Sequence, residues 1–117
     1  MNNDFEEVNT NPVFEGSFVT KDEETTDDNG TAFFTRYTHK YSVRVDSNYD
    51  VTKDQAEEMA SDFFQNGQKR AGEYRAFTID PFSGQVMPGH CSAPYPLVHA
   101  TIQAVDTDFD IVHTGSN

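Results

Sequence analysis

From Thr31 to Asp46 the chain reads TAFFTRYTHKYSVRVD, and its odd positions are Phe33, Thr35, Tyr37, His39, Tyr41, Val43 and Val45. The even positions carry Arg36, Lys40 and Arg44 among Thr, Ser and Asp. A period of two over this length is the signature of a strand with one face in a core and one face wet. Slipping the register by one residue would bury the three cations, so the pairing is strongly specified. Aromatic and β-branched side chains also suit a pleated, half-buried surface. Everything else in the chain has to be placed around this strand.

At 117 residues, with Phe and Tyr but no Trp, one domain with a real core is expected. Residues 1–11 read as a polar N-terminal arm and residues 12–117 as a single α+β domain. A lone cysteine, Cys91, excludes an internal disulfide. The opening MNNDFEEVNTNP has neither a basic nor an apolar run, so it is unlike a secretory signal. No stretch is long and apolar enough for a membrane helix. A soluble, intracellular protein, cytoplasmic or within an assembled particle and not secreted, is the resulting expectation.

The net charge of -12 is unevenly spread. Residues 1–30 hold nine acids against Lys21, residues 31–75 balance seven bases with seven acids, and residues 76–117 hold four Asp and no Lys or Arg. This sign is wrong for gripping a nucleic-acid backbone or an anionic membrane. It favours a partner protein with a basic surface.

Taken in order, Pro12–Thr20 reads as a first strand, with Gly16 suggesting a bulge or bend. Lys21–Gly30 reads as an acidic turn segment, closed by an Asn29-Gly30 pair suited to positive φ. A helix is expected over Thr52–Asn66. Thr52 and Gln55 form a capping box, Val51 and Ala56 a hydrophobic staple, and Gly67 fits the left-handed stop. Ala56, Met59, Ala60, Phe63 and Phe64 define its apolar face. Glu73–Asp80 predicts a strand, Pro81–Gly84 a turn, and Gln85–Met87 a short return. Pro88–Pro96, with three prolines and a glycine, is irregular. Leu97–Val105 predicts a strand with Val98, Ala100, Ile102 and Ala104 on one face. Asp106–Asp108 then reads as a turn before a last short strand carrying Phe109, Ile111 and His113. The sum is a curved, mostly antiparallel sheet of about five strands with one amphipathic helix on one face, in the order β-β-α-β-β-β.

The candidate residues for chemistry are few. His90, Cys91, His99 and His113 are the right types for zinc, but their spacing fits no zinc pattern, so no metal and no cofactor are expected. Cys91 lies between strands, away from any helix N-terminus that would activate it as a nucleophile. The DTDFD run lacks the glycine and distal glutamate of a helix–loop–helix calcium site. No phosphate-binding glycine loop occurs. No catalytic residue is assigned.

Charged faces remain. Asp54, Glu57, Glu58 and Asp62 form a helix face with no expected counter-ion, and like charges at this spacing cost roughly 0.2–0.5 kcal/mol each. Asp22, Glu23, Glu24, Asp27 and Asp28 form an acidic loop. Arg36, Lys40 and Arg44 form a basic stripe whose simplest partners are Glu15 and that loop, or the acidic helix of a further copy. The leading expectation is a non-enzymatic interaction module, an accessory or structural component of a larger assembly such as a virion or coat. One alternative is an inhibitor presenting acids to a nucleic-acid-binding site. Another is a small enzyme or ligand-binding module with a pocket lined by Tyr37, His39 and Tyr41, although a histidine among aromatics is more often a hydrogen-bonded core residue.

Overall fold

A computed structural model describes residues 13–65 and 69–114. The N-terminal arm and the proposed helix stop at Gly67 lie outside the described residues. The elements are β1 (Val13–Lys21), β2 (Thr25–Thr26), β3 (Ala32–Val45), α1 (Lys53–Phe64), β4 (Tyr74–Ile79), β5 (Val86–Pro88) and β6 (Val98–His113). They make one open sheet in the order β1-β3-β6-β4-β5, with β2 continuing along the β1 side of β3. All pairings are antiparallel. The α+β architecture is the expected one, with a sixth short strand.

β3 does organise the sheet. Val43 is fully buried, and Val45, Tyr41 and His39 are nearly so. Arg36, Lys40 and Arg44 are exposed on the other face. Over the buried half lies α1, which presents Ala56, Met59, Ala60, Phe63 and Phe64 to Phe77, Ile79, Val98, Ala100 and Ile102 of the sheet. Each large apolar side chain so buried contributes about 1.5–3 kcal/mol. The capping box forms as read: Gln55 N donates to Thr52 Oγ1 at 3.1 Å, and Thr52 N to Gln55 Oε1 at 3.0 Å. Gln55 does more than cap. Its Nε2 also donates to the Tyr49 hydroxyl and to the Gly84 carbonyl, tying the helix start to two loops. No helix among the described residues is long and apolar enough to cross a membrane.

Three expectations need correcting. Gly16 sits in regular pairing opposite Tyr41 rather than at a bulge, because a Cβ there would lie 2.8 Å from the Tyr41 hydroxyl. The glycine makes room for a ring. The acidic loop is tighter than Lys21–Gly30, since Thr25 and Thr26 pair with Phe33 and Ala32 and leave only Asp27–Thr31 to turn. Gly30 takes the positive φ expected of it, at 80°.

The third correction matters most. No turn interrupts the chain at Asp106–Asp108. β6 is a single 16-residue strand with a bulge, since Tyr41 pairs with Ala104 while Lys40 pairs with Asp106. Val105 is the extra residue, and it reverses which face each later side chain occupies. Before it the even positions face the helix; after it Thr107, Phe109, Ile111 and His113 do. Asp106, Asp108 and Asp110 are thereby turned to the opposite face.

A candidate interaction surface on the distal arm

β4 pairs with β6 only as far as Gln103, whereas β3 follows β6 to His113. Beyond Ala104 the sheet is therefore a narrow arm of β1/β2, β3 and β6. The helix stops short of it. Phe64, the last helical residue, stacks on His39 with ring centroids 4.7 Å apart. Past that point the helix-side face shows the cross-strand pairs Tyr37–Phe109, Thr35–Ile111 and Phe33–His113. Tyr37 and Phe109 lie 6.2 Å apart, and Phe33 and His113 5.8 Å apart. Phe109 is 67% exposed and Ile111 55%. Two large apolar side chains are thus held on a paired strand, uncovered by any described residue.

On the other face of the arm the bulge brings acids to the basic stripe. Arg36 grips Asp110 with two hydrogen bonds, Nε to Oδ1 at 3.2 Å and Nη2 to Oδ2 at 2.8 Å. Lys40 Nζ lies 3.3 Å from Asp108. The expected partners were Glu15 and the acidic loop, but these form no ion pair with the stripe among the described residues. β6, and not β1, supplies the counter-ions because only β6 carries acids at the matching positions. All four groups are about half exposed, so each pair adds at most about 1 kcal/mol. With Arg36 and Lys40 satisfied internally, the motive for docking the stripe on another copy's helix weakens. Arg44 has no ion pair among the described residues.

The acidic loop is largely structural. Asp22 accepts from Thr35 N at 2.6 Å, Asp27 accepts from Asn29 N and Thr31 N at 2.9 Å each, and Glu24 accepts from the Thr114 hydroxyl. Glu23 and Asp28 are exposed. The helix face is also less bare than it reads. Arg75 donates to the Asp62 carboxylate at 2.6 Å and to the Asp62 carbonyl at 3.1 Å, placing a cation at the helix C-terminus. Lys53 approaches Glu57 at 3.9 Å. Asp54 and Glu58 are exposed and have no ion pair among the described residues.

His39 is a satisfied core residue. Thr20 Oγ1 lies 2.7 Å from Nε2 and Thr107 Oγ1 3.3 Å from Nδ1, and the residue is 1% exposed. Tyr37 and His39 do line a cleft with Thr20 and Phe64, but its volume of about 220 Å³ is small for a ligand site. Tyr41 lies in the core instead. Burial holds the His39 pKa below its ordinary value. The unfolded chain takes up this proton at about pH 6.5 and the folded chain only at lower pH. Its stabilising contribution is thus present above that value and lost as pH falls through the folded pKa. Urea unfolding of wild type and His39→Gln between neutral and mildly acidic pH should show a steeper loss in the wild type. Identical slopes would contradict this account.

Of the His and Cys candidates, His90 and His99 meet as stacked rings 4.5 Å apart. They do so because the Pro88–Pro96 segment folds over the second sheet face. Fully buried Thr78 donates to the Gly89 carbonyl at 2.6 Å and accepts from Cys91 N at 3.0 Å. The Tyr95 hydroxyl, 2.7 Å from Asp80, anchors the far end and lowers the Asp80 carboxyl pKa. His99 Nδ1 lies 3.2 Å from Asp46. Arg44, Asp46, His90, His99 and Thr101 line a cleft of about 310 Å³, where the Asp46 carboxylate opposes an anion. Stacked imidazoles do not converge on one metal, and no group of three or more metal-ligating side chains occurs among the described residues. His113 lies at the far tip of the arm.

Phe109 and Ile111 are the candidate residues that sequence reasoning did not single out. Their signal is the change of apolar phase at Val105. Comparison with protein-family models, curated proteins and solved structures gives no match.

Proposed function

We propose that this protein is a non-enzymatic interaction module that binds another protein through the helix-side face of its distal arm. The observation that carries this reading is the exposure of Phe109 and Ile111 beside Tyr37, on a strand held in place by continuous pairing with β3. Exposed aromatic and aliphatic side chains on a preformed surface are the usual centre of a protein interface, with polar groups at its rim. Here Asp108 and Asp110 supply part of that rim from the reverse face. A role as an accessory component of a larger assembly fits this geometry. The inhibitor alternative fits less well, because Arg36 and Lys40 place cations beside two of the acids a mimic would display.

The double variant Phe109→Ser, Ile111→Ser tests the reading. Both side chains are mostly exposed, so the loss of stability should not exceed about 2 kcal/mol, from the cross-strand pairs and strand propensity alone. In cells that naturally make the protein, the wild-type chain should elute above its monomer mass on size exclusion and the variant as a monomer. An unchanged elution profile would contradict the proposal.

A further inference from the structure

Among the described residues, strand pairing along β6 leaves one edge bare. Backbone groups alternate in direction along an antiparallel strand. Thr114 N donates to the Ala32 carbonyl, facing β3, while Ala104 pairs the other way with Glu73 and Gly72. Between them, and with the bulge at Val105, the N–H and C=O groups of Thr107, Phe109, Ile111 and His113 point away from β3. Thr107 N is taken by the Asp106 carboxylate at 2.9 Å. The outward groups of Phe109, Ile111 and His113 meet no strand among the described residues. An unpaired edge of this length is a template for another strand unless it is blunted. Proline and lysine are absent from Asp106–His113, so the bulge at Val105 and the three aspartates are what guard this edge. Aspartates repel only an acidic or like-charged strand.

We propose that this edge binds its partner by strand addition, accepting an extended segment that alternates basic and apolar side chains. The proposal rests on the reading of the arm as the docking surface and specifies how the partner is held. Added strands gain affinity from main-chain hydrogen bonds and specificity from alternate side chains. On one face the incoming residues would meet Phe109 and Ile111, which favour apolar partners. On the other they would meet Asp106, Asp108 and Asp110. Asp106 has no ion pair among the described residues, and the carboxylates of Asp108 and Asp110 remain 62% and 52% exposed despite Lys40 and Arg36. Directly opposed unlike charges stabilise a strand pair and like charges destabilise it. A second copy is disfavoured on the same ground. Two-fold pairing centred on Phe109 or on Asp110 sets Asp108 against Asp110, or Asp110 against itself, while pairing centred on Ile111 opposes Asp110 to Val112 and leaves fewer residues of the strand paired. The three aspartates thus disfavour the longer self-pairing registers while admitting a cationic strand.

The test uses the full chain and a synthetic peptide alternating lysine with isoleucine. Amide hydrogen exchange is followed by NMR, and affinity is measured at low and moderate salt. Binding should slow exchange at Phe109, Ile111 and His113 and weaken with salt. N-methylation of the peptide amides that face the edge should weaken it roughly ten-fold or more. Replacing lysine by glutamate in the peptide should weaken it at least as much. Binding without protection of those three amides, or indifference to N-methylation, would overturn strand addition. If the Phe109→Ser, Ile111→Ser variant still lost binding in that case, the arm would stand as the docking surface. No binding by the lysine peptide, or equal binding by the glutamate peptide, would overturn the basic-partner assignment.

Discussion

Phe63→Ala should destabilise the protein by about 3–5 kcal/mol, read as a fall in the urea midpoint with little change in slope. Phe63 is 2% exposed and lies in a core only one helix deep. Its ring packs against Phe64 with centroids 4.8 Å apart, while the Arg75 guanidinium lies 5.7 Å from its centroid. Truncation therefore removes a large apolar surface, opens a cavity and strips a contact from the cation that holds the helix C-terminus. A single-layer core has few neighbours able to collapse into the space. Total stability for a domain of this size is about 5–15 kcal/mol, so the loss is a large fraction of it. A loss below about 1 kcal/mol would mean that α1 is not seated as described.

Gly16→Val is the second large effect, and its origin is steric. The added Cβ would meet the Tyr41 hydroxyl at 2.8 Å, with Phe14 Cε1 and Tyr41 Cζ both at 3.0 Å. Tyr41 is 2% exposed, so its ring has nowhere to retreat without displacing core neighbours. Overpacking of this kind costs about 1–3 kcal/mol, despite the better strand propensity of valine. Gly16→Val combined with Tyr41→Phe removes the closest contact and should recover part of the loss. If Gly16→Val alone were neutral or stabilising in urea unfolding, the ring would not lie over the glycine.

These two sites show what a one-dimensional reading reaches. The alternation in β3 and the 3.6-residue period of α1 are local, and they locate the core face of each element. Thr52, Gln55 and the Asn29-Gly30 pair were legible because caps and turns use neighbouring residues. Gly16 was not, because its reason is a ring more than twenty residues away. The same holds for Asp62 of the helix, whose counter-ion Arg75 arrives from β4, and for Thr78, whose partners lie in the segment that folds over it. At Val105 the apolar phase changes from even to odd, which in sequence is indistinguishable from a turn between two strands. Only the pairing to β3 shows one continuous strand, and with it the exposed apolar face, the acid partners of the basic stripe and the bare edge. The candidate site was thus hidden behind a single inserted residue.

Photo-cross-linking from position 109 tests the central claim most directly. A photoreactive phenylalanine analogue at Phe109, and separately at Glu58 on the exposed helix face, would be introduced in cells that naturally make the protein. The account expects one discrete protein adduct from position 109 and none from position 58. An adduct from position 58 with none from position 109 would contradict it and move the binding surface to the acidic helix.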